Sequence, residues 1–185
     1  MKRKILVIGA GGIGSYLTPL LHKTRLYDIH ISDPDSVEEK NLFYQNFDTS
    51  HLDRNKVECV VDGEVIGSRK PFPILTQQQL NGFDLVVCCA DNLDIRRTMY
   101  NSNVKWLDLR AQARNAAMIS HLEDPKLYAT FTSGPDGSFS CQGDSWEGKP
   151  EGVNFMQVVI AGYGAQWIQR FFTGDHVEKH FKING

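Results

Sequence analysis

Residues 4–8 (KILVI) form a short, nearly unbroken apolar run that stops at Gly9. Such a run with a glycine behind it predicts a parallel strand covered on both faces, central in its sheet. From Gly12 the spacing changes, and Ile13, Leu17, Leu20 and Leu21 recur every three or four residues until the chain reaches Tyr27, the period of an amphipathic helix. Pro19 falls inside it, where it removes a hydrogen bond and favours a kink. Residues 28–32 (DIHIS) alternate and end on Asp33, predicting a second strand and a complete strand, turn, helix, strand unit of about 30 residues.

Further along, residues 53–65 carry Val57, Val60, Val61 and Val65 at helical spacing, and residues 71–75 read as a third extended piece. Residues 83–90 (FDLVVCCA) predict a buried strand, followed by a helix from Asn92 to about Ser102. Residues 104–109 (VKWLDL) give a fifth strand, and residues 115–122 (NAAMISHL) a sixth that turns back antiparallel at the sheet edge. Residues 123–152, rich in Gly, Pro, Ser and Asp, read as a long loop, functional or disordered. The last element is a helix over residues 153–172, apolar at Val158, Ile160, Ala161, Ala165, Trp167 and Ile168 and stopped by Gly174. The fold class expected is α/β: a doubly wound, Rossmann-like, mainly parallel sheet with antiparallel edge strands and a long loop before a C-terminal helix. No internal repeat or second core shows, so residues 1–185 are expected to form a single domain, a length at which roughly 70% of the unfolded surface is buried.

Composition removes some function classes. The 20 basic residues against 22 acidic ones leave no polybasic field for nucleic acid or an anionic membrane. No apolar run approaches the roughly 20 residues of a membrane-spanning helix, and MKRKILVIGAGG meets a glycine turn without a signal peptide's cleavage region, so a cytoplasmic protein is expected. Cys59, Cys88, Cys89 and Cys141 form no CxxC and no paired zinc-ligand spacing. Cys88 and Cys89, in an apolar strand, read as small buried hydrophobes in a reducing compartment.

The chemistry begins at the glycines. Gly9-Ala10-Gly11-Gly12-Ile13-Gly14 matches GxGxxG after a strand and at the opening of a helix, so Gly9, Gly11, Gly12, Ile13 and Gly14 are candidate phosphate-binding positions. The alternative is a tight turn with no ligand. Asp33 follows Gly14 at close to the offset of about 20 residues at which an acidic group meets a ribose hydroxyl, which fits NAD and ATP equally well. Asp before Pro34 is also a good turn former. Asp33 and Asp35 do not look like a catalytic acid/base dyad.

At this point the sequence resembles the family of ThiF, MoeB and the ubiquitin-activating enzymes. The resemblance rests on GAGGIGS at residues 9–15, DPDSVEEKNLFYQ at residues 33–45, Lys56 inside the next predicted helix, and CCADNLDIRR at residues 88–97. These motifs cover roughly the first 110 residues, with a looser likeness beyond. Members adenylate the carboxyl terminus of a ubiquitin-fold protein or a related peptide carboxylate. The resemblance implies that Asp33 takes the ATP ribose, Asp35 belongs to the same nucleotide pocket, and Asn41 and Gln45 order the turn and the phosphate side. Lys56 would place a cation against the triphosphate as pyrophosphate leaves. Asp91 would hold Mg²⁺ with Asn92 beside it, and Arg96 or Arg97 would fix the loop. Each has a plainer alternative: a solvated helix lysine at Lys56, a helix cap at Asp91 and Asn92.

One letter departs from the family pattern. The arginine of N-L-x-R-Q is here Tyr44, which supplies no cation. Arg54 or Arg3 is a candidate replacement; otherwise a partner chain supplies one in trans, or the site turns ATP over poorly. The chain also opens directly at the first strand, without the helices that in longer relatives lend an arginine to a neighbouring subunit. Cys141 lies where some relatives carry an acyl-accepting thiol, but with no Lys, Arg or His adjacent it reads more readily as a structural thiol. His121 reads as a satisfied core or edge histidine. Arg110 and Arg114, at the end of the fifth strand, suit either a substrate carboxylate or a salt bridge.

The function expected is an ATP- and Mg²⁺-dependent adenylyltransferase acting on the carboxylate of a ubiquitin-like protein or a peptide, working as a homodimer or with a related subunit. The alternatives are a non-catalytic ATP-binding subunit of a paired enzyme and an NAD-dependent oxidoreductase. The last leaves Lys56, Asp91 and residues 41–45 without roles.

Overall fold

The apolar run at the start lies in β1 (Arg3–Ile8), flanked by β2 (Tyr27–Ser32) and β3 (Leu85–Cys88), and β4 (Trp106–Gln112), β5 (Asn115–Ser120) and β6 (His180–Ile183) complete the sheet. The computed structural model describes residues 2–63, 77–132 and 141–185. Among them the strand order is β2-β1-β3-β4-β5-β6. The first four strands are parallel, and β5 and β6 pair antiparallel. β1 is therefore interior, one strand in from an edge, rather than central.

The period of two along the strands sorts the core onto both faces. Ile5, Val7, Leu85, Val87, Leu107 and Leu109 meet α1 (Gly14–Thr24) and α6 (Met156–Thr173) through Ile13, Leu17, Ile160 and Trp167. Leu6, Ile8, Val86, Cys88 and Trp106 point the other way, onto Met99 and Tyr100 of α4 (Leu93–Tyr100) and Leu80 of α3 (Gln77–Leu80). Helices on both faces of a mainly parallel sheet make the doubly wound fold read from the sequence. Among the described residues no helix is long and apolar enough to cross a membrane.

Several elements differ from expectation. α1 stops at Arg25, which turns left-handed at φ 57°, and Pro19 is held inside it. Of the helix expected over residues 53–65, the described part is one turn, α2 (Lys56–Cys59), followed by a 3₁₀ turn in which Val61 and Asp62 are left-handed, and residues 64 and 65 lie outside the described residues. Helix formation cannot start at residue 53 because the chain there pairs with the stretch after β2. Val37 donates to Arg54, Asp53 to Val37 and Lys56 to Asp35. The long loop before the last helix contains α5 (Pro125–Thr132) and a 3₁₀ turn at Pro150–Gly152. β6 pairs with β5 and was not foreseen. The extended piece at residues 71–75 lies outside the described residues, as does part of the long loop.

Candidate functional site

The parallel register aligns Ser32, Ile8, Cys88 and Asp108 across the sheet, so β2, β1 and β3 end at one level, beside Asp108 in β4. In open α/β sheets the crevice beyond such ends, where the strand order reverses on either side of β1, is where ligands bind. Gly9 leaves β1 with φ +97°, and a Cβ there would sit 2.7 Å from the Ala90 nitrogen. A Cβ on Gly14 would lie 1.8 Å from the Gly9 carbonyl oxygen. Those two glycines are required by packing. Gly12 lies under Cys141, whose Sγ would stand 3.0 Å from an added Cβ. Around Gly11 the nearest neighbour of an added Cβ is Gln45 Nε2 at 3.8 Å, which leaves room for a ligand to approach the backbone. The Ile13 side chain is buried in the core, so only its backbone faces this chemistry.

Asp33 locks the turn. Its Oδ2 accepts the Ala10 amide at 2.6 Å and its Oδ1 the Asp35 amide at 2.8 Å. Burial pushes its carboxyl up, while those amides and the Lys56 ammonium pull it back down. Lys56 reaches this position because its amide pairs with the Asp35 carbonyl at 3.0 Å. Its side chain is 8% exposed and its Nζ lies 3.3 Å from Asp35 Oδ2. A buried ammonium paired with one mostly exposed carboxylate is not a freely solvated charge, and the reading of Lys56 as a solvated helix lysine does not hold.

The stretch after Asp33 is ordered by its own amides. Asn41 is buried and its Oδ1 accepts the Glu38 amide at 2.9 Å, closing a 3₁₀ turn over Glu39–Phe43. Its Nδ2 stands 3.5 Å from the Tyr44 hydroxyl, so Asn41 acts on the shape of the turn. Gln45 is buried beside Gly11, and its Oε1 has no hydrogen-bond partner. A buried orphan acceptor is rare in a folded protein and marks a position where a ligand or water completes the site. Pro19 has its use here. Lacking an N–H, it leaves the Ser15 carbonyl to accept Asn46 Nδ2 at 3.2 Å, while Ser15 Oγ takes the Asn46 amide at 3.0 Å.

Tyr44 is buried, with its ring edge-on to Trp146 at 5.1 Å between centroids. The proposed stand-ins for its missing charge do not gather here. Arg3 lies at the opposite end of β1, 3.6 Å from Asp84 and over the Phe172 ring. Arg54 is exposed, and its charge acts on Asp48 and Cys59.

Beyond β3, Asn92 caps α4, its Oδ1 accepting the amides of Asp94 at 2.9 Å and Ile95 at 3.0 Å. The cap reading thus holds for Asn92, which leaves its amide group, not its oxygen, for a ligand. Asp91 is no cap; its Oδ1 lies 3.6 Å from Arg96 Nη1. Arg97 pairs on the surface with Asp94 at 3.0 Å. Arg96 is buried and also donates from Nε to Asp108 Oδ1 at 3.1 Å. Arg110 takes the salt-bridge role, with Nη2 2.7 Å from Asp108 Oδ2 and 2.9 Å from the Tyr100 hydroxyl, which also donates to Asp108. Burial pushes Asp108 up, but Arg96 and Arg110 outweigh it and hold the carboxyl below its ordinary value. Arg114 is exposed in the turn between β4 and β5.

The loop before α6 covers the glycine turn. Cys141, packed on Gly12, is near enough to Asp91, Arg96 and Lys56 for all three charges to act on it, and burial first, then Asp91, push its thiol up to about 11. That is a poor nucleophile and supports the structural reading. Gln142 is buried, accepting the Asn154 amide at 2.7 Å and donating to Gln157, which in turn donates to the Tyr44 carbonyl at 3.1 Å. The same loop lines a cavity of about 430 Å³ between Trp146, Lys149, Glu151 and Asn154. His121 is a satisfied histidine, Nδ1 lying 3.1 Å from the Trp106 carbonyl oxygen. The sequence did not single out Asp108, Gln142 or Gln157. A lone acid in VKWLDL, a segment otherwise patterned as a buried strand, was the one available sign.

Comparison with known proteins follows this geometry. Residues 1–63, which span the glycine turn, Asp33 and Lys56, match the model of the ThiF family. The adenylyltransferase and sulfurtransferase UBA4 of Yarrowia lipolytica is 31% identical over 105 residues, 51% of this chain and 26% of that protein. Escherichia coli MccB, solved with ATP, has the same fold, with a TM-score of 0.68 at 17% identity over 99% of this chain and 60% of MccB. PaaA gives a TM-score of 0.65 at 16% identity over 98% of this chain and 60% of its own. The chain thus spans about a quarter of the UBA4 length and three fifths of the MccB length. Residues 1–63 are thus similar to the ThiF family, and a stretch of 105 residues is similar to UBA4.

Proposed function

We propose that residues 1–185 form a single adenylation domain that uses ATP to activate the terminal carboxylate of a peptide or ubiquitin-fold protein. The observation that carries this reading is the buried Lys56 ammonium, fixed 3.3 Å from Asp35 Oδ2, with the Asp35 amide held by the same Asp33 carboxylate that locks Ala10 in the glycine turn. An oxidoreductase using NAD has no use for a buried cation and a carboxylate at its phosphate turn. In the reaction, a carboxylate oxygen attacks the α-phosphorus, the bond to the bridging oxygen of the β-phosphate breaks, and its electron pair leaves with pyrophosphate. No proton moves, so no general base is required, and positioning with charge neutralisation carries the step.

Gly11, with open space above it, Gly12 and Ile13 present the backbone to the phosphates, and Asp33, already holding the turn, offers its remaining lone pairs to the ribose. Asp35 orients Lys56 toward the leaving pyrophosphate. Gln45 completes the phosphate side. Among the described residues no three His, Cys, Asp or Glu side chains converge as a metal cage. That suits Mg²⁺, which rests on one or two carboxylates plus phosphate oxygens; Asp91 fits as its protein ligand, with Asn92 adjacent. When bound, the ion neutralises phosphate charge.

The test is ATP–pyrophosphate exchange, with and without peptide or ubiquitin-fold substrates. Lys56→Ala and Asp91→Ala should each lower exchange by about 10²–10³-fold, the effect of removing one charge-stabilising group. Absence of both exchange and ATP binding in the wild type would overturn the reading. A second reading, a non-catalytic ATP-binding subunit of a paired enzyme, draws on Tyr44, whose burial behind Trp146 leaves no cation at that position. ATP binding without exchange, with exchange appearing only when a homologous chain is added, would favour it. We further propose a cytoplasmic location and a homodimer or a heterodimer with a related subunit, tested by fractionation and light scattering.

A further inference from the structure

Asp108 stands in the same register row as the ends of β1, β2 and β3 and is fully buried, yet the reaction described above gives it nothing to do. Its surroundings are unusual for a strand in the interior of a sheet. Arg96 donates to its Oδ1 from Nε at 3.1 Å, and Arg110 donates to its Oδ2 from Nε at 3.0 Å and Nη2 at 2.7 Å. The Tyr100 hydroxyl also donates to Oδ2 and accepts from Arg110 Nη2 at 2.9 Å. Arg96 then reaches past Asp108, its Nη1 3.6 Å from Asp91 Oδ1. Arg96 thus makes its short, well-formed contact with the inner carboxylate, while its contact with the outer one is long.

That asymmetry has a chemical meaning. A carboxylate in a close bidentate pair with arginine is neutralised and makes a poor ligand for a hard cation. One that an arginine holds at arm's length is oriented by that arginine without being neutralised by it. We propose that Asp108 is a positioning residue for the cation site: by engaging Arg96 it lets that arginine aim Asp91 without neutralising it. This inference rests on the adenylation reading and on Asp91 as the cation ligand. Asp108 touches neither nucleotide nor cation. Its effect passes through one shared guanidinium, so loss of its charge leaves Arg96 to close on Asp91 in competition with Mg²⁺.

The coupling is read by binding rather than turnover, as the Mg²⁺ concentration that half-restores ATP binding, measured by calorimetry on the full chain. Asp108→Asn should raise that midpoint at least tenfold, with little change in the weak affinity for ATP without Mg²⁺. Because Asp108→Asn leaves two buried arginines short of a partner, the charge-balanced double variant Asp108→Asn/Arg96→Gln is made beside it. With the competing arginine gone, its midpoint should return to within about threefold of wild type, whereas a merely structural role for Asp108 would make the double variant worse. Wild-type protein that binds ATP with Mg²⁺ while Asp108→Asn keeps an unshifted midpoint, or a double variant that is not rescued, would overturn the role of Asp108 alone. A wild type with no Mg²⁺-dependent ATP binding would overturn the adenylation reading and this role with it.

Discussion

Replacing Gly14 by alanine places a methyl carbon 1.8 Å from the Gly9 carbonyl oxygen and 2.9 Å from its carbon. Carbon–oxygen contacts of this kind rest near 3.3 Å, so about 1.5 Å of backbone movement is required. The obstacle is backbone, anchored by the Gly9 amide on the Ser32 carbonyl at 2.8 Å, and has no rotamer to escape through. Overpacking of a rigid site costs about 3 kcal/mol, at the upper end of its usual range. For a chain of 185 residues that is a fall in Tm of about 6–12 °C. Gly11→Ala is the control: its methyl meets only Gln45 Nε2 at 3.8 Å. It should melt within about 1 kcal/mol of wild type, slightly higher if anything, because alanine restricts the unfolded chain. Yet its methyl enters the space a phosphate would use, losing at least one charge-assisted hydrogen bond of about 1.5–3 kcal/mol, about 10- to 100-fold in Kd for ATP. Thermal melts and calorimetry on the two variants separate packing from ligand contact. A Gly14→Ala protein as stable as wild type, or a Gly11→Ala protein that binds ATP unimpaired, would refute the assignment of the two glycines.

Cys141→Ser should retain pyrophosphate exchange within about threefold, and Cys141 should react slowly with iodoacetamide at pH 8, because a thiol pushed up to about 11 is almost wholly protonated there. Tyr44→Arg, which restores the family letter, should destabilise the fold by about 2–4 kcal/mol by placing a charge in a buried position behind Trp146, whereas Tyr44→Phe loses only a 3.5 Å contact to Asn41 and should cost under about 1 kcal/mol in denaturant melts. His121 is held below its ordinary 6.5 by burial, with the Trp106 carbonyl opposing. The unfolded chain therefore binds the proton more readily, so the stability this residue contributes is present above about 6.5 and is lost as pH falls through the folded value. His121→Gln should flatten that acid limb in melts followed across pH.

Much of this was legible because strands and helices write their period into the chain. KILVI from Ile5 on, the LVVC of β3 and Ile160, Ala161, Trp167 and Ile168 of α6 are buried as their spacing says, whereas Val158 of the same stripe faces out. The helix expected at residues 53–65 failed in its described part because Val57 and Val60 mark burial, not helical backbone. Pairing of residues 53–56 with residues 35–37 overrode propensity. β6 escaped because HFKI is four residues long, exposed on alternate positions, and sits in a polar stretch. In the candidate site, Gly9, Gly14 and Asp33 declared themselves by spacing, and Lys56 through the family resemblance. The Asp108 cluster and the Gln142–Gln157 pair did not, since their side chains carry no local signature. Pro19 looked like a defect in α1, yet the carbonyl it frees holds Asn46.

The bond from Gln157 to the Tyr44 carbonyl spans 113 positions of sequence. Closing so long a loop is slow, and contacts of high separation form late in folding. During synthesis, therefore, β1, α1 and β2 emerge long before the helix that pins Tyr44 and the loop that roofs Gly12. The cover of the glycine turn is thus completed only after α6 has emerged, and a ribosome-bound fragment ending before α6 should expose that turn to chaperones.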